Sequence, residues 1–220
     1  MFAEPAPAPP EPPAVLDAED FAAATGATPF QMADLEAFRA LLGDWNGRMN
    51  LVGPSAMADF WGRHAFDSAQ LLTIAPDALR WADLGAGAGF PGVVLAILLK
   101  GRPGAEVHLV ESMGKRTAFL RAVVKALDLP AVVHHARAET LSLTVDIVTA
   151  RACAPLRRLL EFAWPYVRKG ATGLFLKGRD LEAELADAAQ DWDVAAEVLP
   201  SLSNASGRLL KLKGLARVRR

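Results

Sequence analysis

The chain has 220 residues, 52% of them hydrophobic, a formal net charge of -1 and a single cysteine, Cys153. That length can bury one sizeable core. The lone cysteine excludes an internal disulfide and a cysteine-held zinc cluster, and no apolar run approaches the roughly 18 residues of a spanning helix. Without a secretory or transit pattern at its start, the protein is expected to be soluble and cytoplasmic, with no membrane and no metal.

The charges are unevenly spread. The first 36 residues hold seven acids (Glu4, Glu11, Asp17, Glu19, Asp20, Asp34 and Glu36) and no Lys or Arg, leaving 24 basic and 18 acidic residues in the remainder, a net of +6. Six prolines between Pro5 and Pro13 among alanines and glutamates predict an extended, unfolded segment. Residues 1–27 are therefore read as a largely disordered tail, 28–76 as a helical cap and 77–220 as the catalytic core. Thr28-Pro29-Phe30-Gln31 supplies an N-cap, a proline at the first helical position and a capping-box glutamine. A helix is predicted from there, with Met32, Leu35, Phe38, Leu41, Leu42 and Trp45 on one stripe. A second helical region spans Ser55 to about Ala75.

From Trp81 onward, short apolar runs alternate with amphipathic stretches, the pattern of a parallel sheet covered on both faces. Strands are predicted at Arg80–Leu84, Glu106–Glu111, Val132–His135, Val145–Ala150 and Gly173–Lys177, with helices at Val93–Leu99, Lys115–Leu127, Leu156–Val167 and Leu181–Ala189. Two further strands, Val194–Leu199 and Arg208–Leu212, flank a turn-rich Ser203–Gly207. The fold class is thus α/β, doubly wound and Rossmann-like.

The strongest local signal is Asp83-Leu84-Gly85-Ala86-Gly87-Ala88-Gly89-Phe90-Pro91-Gly92, between a strand and a helix. Glycines at such a turn let a ligand approach the backbone. Gly87-x-Gly89-x-x-Gly92 also satisfies the dinucleotide pattern, so a dehydrogenase stands beside a methyltransferase. Asp83 separates the two, because its carboxylate suits the ammonium of a methionine moiety and repels a pyrophosphate; as an alternative it caps the helix. Pro91 removes an N–H that a pyrophosphate would use. Glu111, 19 residues beyond Gly92, suits ribose hydroxyls with either cofactor.

The chain resembles the class I methyltransferases, and more closely the bacterial ribosomal RNA small-subunit methyltransferase G family, also called glucose-inhibited division protein B. The resemblance covers nearly all of the chain after residue 30. Trp45-Asn46 with Asn50-Leu51, His64 with Asp67-Ser68, the loop ending Phe90-Pro91-Gly92 and Glu111-Ser112 with Lys115-Arg116 carry it. Arg137-Ala138-Glu139, Arg151-Ala152 and Lys177-Gly178 follow in the same order. It implies a seven-stranded, mostly parallel sheet with an N-terminal helical cap, S-adenosylmethionine as cofactor, and N7 methylation of a guanine in the decoding-region loop of 16S rRNA in the small ribosomal subunit. Its cofactor contacts fall on Gly85, Phe90, Ala138, Glu139 and Arg151, beside Asp83, Gly87, Gly89 and Glu111 from the reading of the residues above.

Guanine N7 carries a free lone pair, so no general base is expected. Positioning supplies the catalysis, and Arg151 is the candidate for it, with a structural ion pair as its other reading. The Asp/Asn-Pro-Pro-aromatic run of amino-group methylation is missing, since the fourth strand ends Thr149-Ala150-Arg151-Ala152. Cys153 reads as a buried inert thiol rather than a nucleophile, and His64, His108, His134 and His135 as cap and sheet residues rather than metal ligands. An RNA helix hides N7, so the target must lie in a loop or be extruded. Lys115, Arg116, Arg121, Lys177, Arg179, Lys211 and Lys213 are the candidate phosphate contacts, each also readable as a solvated charge. A monomer is expected. A small-molecule or protein methyltransferase is the alternative enzyme, and a vestigial RNA-binding module the non-enzymatic one.

Overall fold

The computed structural model describes residues 17–53 and 57–218. The proline-rich run of residues 1–13 lies outside them. A tail unbroken to residue 27 is not what the chain adopts: helix α1 occupies Ala18–Thr25, capped by Asp17 and closed by left-handed Gly26, with Phe21 fully buried. The Phe21 ring sits 5.4 Å from that of Trp61, so one aromatic anchor overrides the polar, alanine-rich composition around it.

Helix α2 (Pro29–Met49) starts where its capping signal predicts. Thr28 Oγ1 accepts from the Gln31 amide and Gln31 Oε1 accepts from the Thr28 amide, so two otherwise orphaned donors are satisfied. The Gln31 side chain also donates to the Leu98 carbonyl at 2.8 Å, tying the cap to the core. Thr28→Ala is expected to lower stability by about 1 kcal/mol, read from the midpoint of urea unfolding at unchanged slope.

The second predicted cap helix takes another form. Phe60–Phe66 is a π-helix, followed by single turns at Asp67–Ala69 and Leu71–Ile74. Its wider turn brings Phe60, Trp61, His64, Ala65 and Phe66 all into the interior. Such distortions are rare and concentrate at functional sites.

Among the described residues seven strands form one sheet: β1 (Arg80–Leu84), β2 (Glu106–Glu111), β3 (Ala131–His135), β4 (Ile147–Arg151), β5 (Thr172–Lys177), β6 (Trp192–Pro200) and β7 (Arg208–Arg217). Their order is β3-β2-β1-β4-β5-β7-β6, with only β7 antiparallel to its neighbours. The last two strands outrun their predicted lengths, because a register shift at Ala195/Ala196 lets the pairing continue past Gly214. Helices α3 (Gly92–Leu99), α4 (Gly114–Ala126), α5 (Leu156–Val167) and α6 (Leu181–Ala188) make the crossovers.

Two apolar layers cover the sheet. On one face α2, the π-helix, α3 and α4 pack Phe38, Phe60, Phe90, Val93 and Phe119 against Trp81 and Leu109. On the other, α5 and α6 pack Leu156, Leu160 and Leu181 against Leu84, Phe175 and Leu210. Strand alternation therefore turns Asp83 and Thr149, register partners on β1 and β4, toward the cap face. The strand order reverses between β1 and β4, and ligands of open α/β sheets bind at the carboxyl ends around such a point.

Candidate functional site

The turn from β1 into α3 is held by its own backbone: Gly85 and Ala86 both donate to the Val110 carbonyl, at 2.8 and 3.0 Å. Gly85 has φ 71°, and a Cβ there would lie 2.6 Å from Cys153 Sγ. At Gly92 a Cβ would lie 2.3 Å from Leu109 Cδ2 and 2.7 Å from Asp83 Oδ2. A side chain at either position has no room.

Asp83 is fully buried beneath this turn. Its Oδ2 accepts from the Gly92 amide at 2.8 Å, which caps α3, while its Oδ1 has no partner among the described residues. Burial pushes the carboxyl up to about 7, against the Gly92 hydrogen bond and the nearby Arg151 charge. The capping reading of Asp83 is met by one oxygen, and the other oxygen is uncommitted among the described residues. Glu111 is also buried, with Oε2 accepting from the Gly87 amide at 3.0 Å and Oε1 from the Met113 amide at 2.8 Å. It clamps the loop, and each oxygen retains a lone pair for a hydroxyl.

Beside the turn lies a cavity of about 380 Å³, lined by Gly85, Ser112, Ala138, Glu139, Cys153 and Phe162 among others. Gly85, Ala138 and Glu139 are brought together around it. Ala138 is buried and Glu139 is exposed, 3.7 Å from Arg137. Burial pushes the Cys153 thiol up to about 11, and Asp83 and Glu111 add to the effect. At pH 8 the thiolate is therefore about one part in a thousand. Cys153 is expected to resist iodoacetamide at pH 8 and to react only as pH approaches 11, read by intact-protein mass; Cys153→Ser is expected to retain methyl transfer.

Phe90 and Arg151 lie on the other side of the strand ends. The Phe90 ring packs 5.4 Å from Phe38 and 6.0 Å from Phe60, stacks on His64 at 4.8 Å, and carries the Arg151 guanidinium 5.1 Å from its centroid. Arg151 donates through Nη1 to the Arg63 carbonyl at 2.9 Å and lies 3.4 Å from Asp67 Oδ2, while Nη2 meets His64 Nδ1 at 2.5 Å. Burial lowers the Arg151 pKa and Asp67 opposes it. Asp67 Oδ1 in turn accepts from Ser203 Oγ at 2.6 Å and from Gln70 Nε2 at 2.9 Å, and Gln70 Oε1 accepts from the Leu202 amide at 2.8 Å. This network joins the cap, the end of β4 and the β6–β7 turn.

A cleft of about 520 Å³ opens over the network, lined by Arg63, His64, Arg151, Arg179 and Arg208 among others. The segment leaving β4 divides the two spaces: Arg151 and Ala152 face the cleft, and Cys153, Ala154 and Pro155 face the cavity. Arg63 and Arg179 are exposed at the cleft. Lys177 also lines it, but its ammonium is held 2.6 Å from Glu184 and is nearly buried, so it serves the structure rather than a phosphate. Lys211 and Lys213 are carried away from the site. Antiparallel pairing sets Arg208 opposite Lys177 and Lys211 opposite Leu174, toward the other end of β5, and Lys213 pairs with Glu197 at 3.1 Å. On α4, Lys115 and Arg121 are exposed and Arg116 lies 4.0 Å from Glu111. Sequence reasoning missed Arg63 as a cleft residue and left His64 as packing, although the His64, Asp67 and Arg151 motifs were all visible.

Residues 31–212 match the rRNA small subunit methyltransferase G family. The chain belongs to that family. Ribosomal RNA small subunit methyltransferase G of Caulobacter vibrioides is 61% identical over 208 residues, covering 94% of this chain and 96% of the relative. The protein of that name from Bradyrhizobium sp. (strain BTAi1) is 45% identical over 207 residues, covering 91% and 93%. Among solved structures, an O-methyltransferase of Bacillus cereus in complex with SAH aligns with TM-score 0.55 at 15% identity, over 82% of this chain and 90% of that one. A cofactor-bound protein from MTB aligns with TM-score 0.56 at 20% identity, over 93% and 98%. At these identities the structures establish the shared methyltransferase fold. In this family member, the uncommitted buried Asp83 oxygen, the glycine turn without room for side chains, and the cavity between Gly85 and Glu139 fit an S-adenosyl cofactor.

Proposed function

We propose that this chain is a 16S rRNA (guanine-N7)-methyltransferase that uses S-adenosylmethionine, acting as a cytoplasmic monomer on the small ribosomal subunit at a guanine of the decoding-region loop. The carrying observation is that one segment, Arg151–Pro155, forms the wall of both the cofactor-sized cavity and an arginine-lined cleft. A nucleotide in the cleft is thereby brought next to the cavity's contents. Among the described residues no helix is long and apolar enough to cross a membrane.

When bound, S-adenosylmethionine supplies an electrophilic methyl group. The protein's own residues bind and orient. Asp83 Oδ1 takes the cofactor ammonium, directly or through water, and Glu111 takes the ribose hydroxyls while holding the Gly87 amide. Glu139 and Ala138 flank the adenine, and Phe90 closes the turn on the cap side. Arg151, pinned by Arg63, Asp67 and His64, borders the path of the target base. Arg63, Arg179 and Arg208 face flanking phosphates, with Lys115, Arg116 and Arg121 of α4 a second set. No side chain need remove a proton, because N7 enters with its lone pair free, so rate comes from holding the base in line.

The test incubates the protein and methyl-labelled cofactor with small subunits from cells lacking this enzyme, then identifies the labelled nucleoside after digestion. Label in 7-methylguanosine at one loop position is expected. A different labelled nucleoside, or none on subunits or free RNA, overturns the reading and turns attention to small-molecule or protein substrates.

A further inference from the structure

His64 sits where the cap meets the cleft, and its ring chemistry is determined by its neighbours. Arginine only donates hydrogen bonds, so the contact of Arg151 Nη2 with His64 Nδ1 requires a lone pair on Nδ1. Burial, with Arg151 and Arg63 nearby, holds the imidazole near pKa 4, so the ring is neutral and its one proton is on Nε2. That Nε2–H is buried and, among the described residues, has no acceptor. The residue is 9% exposed, stacked on Phe90, and lines the cleft. An unpaired buried donor is costly and calls for a partner that arrives from outside the chain.

Resting on the functional reading above, we propose that His64 Nε2–H donates to O6 of the target guanine and thereby selects guanine over adenine. On that edge guanine presents the acceptors N7 and O6, whereas adenine presents N7 and an amino donor. A donor beside N7 accepts the first base and rejects the second. The usual reader of guanine, an arginine fork on O6 and N7 together, would cover the lone pair that must react. Here Arg151, the arginine beside His64, is already committed to Arg63, Asp67 and His64. One N–H on O6 recognises the base and leaves N7 open. His64 is thus a specificity-determining residue, and the Arg151 contact is what fixes its tautomer.

The test is a cycle between protein and base. Small subunits are reconstituted with RNA carrying either guanine or 2-aminopurine, which is guanine without O6, at the target position. Wild-type protein, His64→Leu and His64→Gln are compared in kcat/KM, together with the dissociation constant for S-adenosylhomocysteine. Wild type is expected to lose about 10- to 100-fold on 2-aminopurine. His64→Leu loses a similar factor on guanine and nothing further on 2-aminopurine. His64→Gln, which can accept from Arg151 and still donate, recovers rate on guanine and sensitivity to O6, and so guards against a leucine variant that merely misfolds. A 2-aminopurine penalty equal in wild type and His64→Leu overturns the proposal. So does a change in S-adenosylhomocysteine affinity as large as the change in rate, which assigns the donor to the cofactor. Absence of 7-methylguanosine from wild type acting on guanine subunits is a separate outcome, and it removes the functional reading on which the proposal stands.

Discussion

Arg151→Ala is expected to lower kcat for methyl transfer to small subunits about 100-fold, with S-adenosylhomocysteine affinity changed far less. The guanidinium makes three contacts with the cap, to the Arg63 carbonyl, Asp67 and His64, and lies over the Phe90 ring. Removing it loosens the wall shared by cavity and cleft, and misplacement of reacting groups by about 1 Å can cost on the order of 100-fold. Lysine is not expected to rescue, because a single ammonium cannot reproduce a planar fork engaged on three sides. His64 supplies an independent readout. Arg151 is the second cause of its lowered pKa, after burial, so Arg151→Ala raises the His64 pKa partway toward its ordinary value, measurable by NMR titration. Full turnover in Arg151→Ala would reduce this side chain to a structural ion pair.

Asp83→Asn is expected to make the free protein more stable at neutral and alkaline pH while weakening the cofactor about 10- to 100-fold. The folded pKa of about 7 lies above the ordinary 3.8, so between pH 4 and 7 the folded state binds more protons than the unfolded one. Stability therefore falls as pH rises through that window, and above 7 the cost of the buried charge is fully present. Asparagine keeps an acceptor for the Gly92 amide and carries no charge. At pH 8 the variant is expected to melt about 5 °C or more above wild type, with the difference vanishing near pH 4. Cofactor affinity moves the other way. In wild type it tightens from pH 5.5 to 8 as the carboxyl ionises opposite the ligand ammonium, whereas in Asp83→Asn it is flat. Arg151 favours that ionisation and Glu111 opposes it. A variant less stable at every pH, with unchanged cofactor affinity, would contradict both the buried-charge account and the ammonium role.

These two side chains also mark how far the sequence could be read. Asp83 and Arg151 stand out in it because each lies in the last two residues of a strand next to a turn, and strand ends around the switch point are where such folds bind ligands. The capping partner of Asp83 lay within reach of that reading, and the partners of Arg151 did not. Asp83 meets Gly92 nine residues on, but Arg151 meets His64 and Arg63 across 87 and 88 residues, and Asp67 meets Ser203 across 136.

What the sequence determined by itself is what local chemistry specifies: the capping box at Thr28, the strand-to-helix glycine turn, the alternation of buried strands and amphipathic helices, and the ordered motifs of the family. Each depends on residues within about ten positions of one another, where backbone sterics, turn geometry and periodicity suffice. The tertiary structure alone decided how the charges are used. Lys177 is spent on Glu184, and Lys211 and Lys213 are carried toward the far end of β5 by the reversed last strand. The anchoring of α1 by Phe21 and the π-turn that brings His64 to Arg151 belong with these. A charge or a buried ring takes its partner from whatever distant segment packing delivers to it, and that choice is a property of the closed fold, not of the neighbouring sequence.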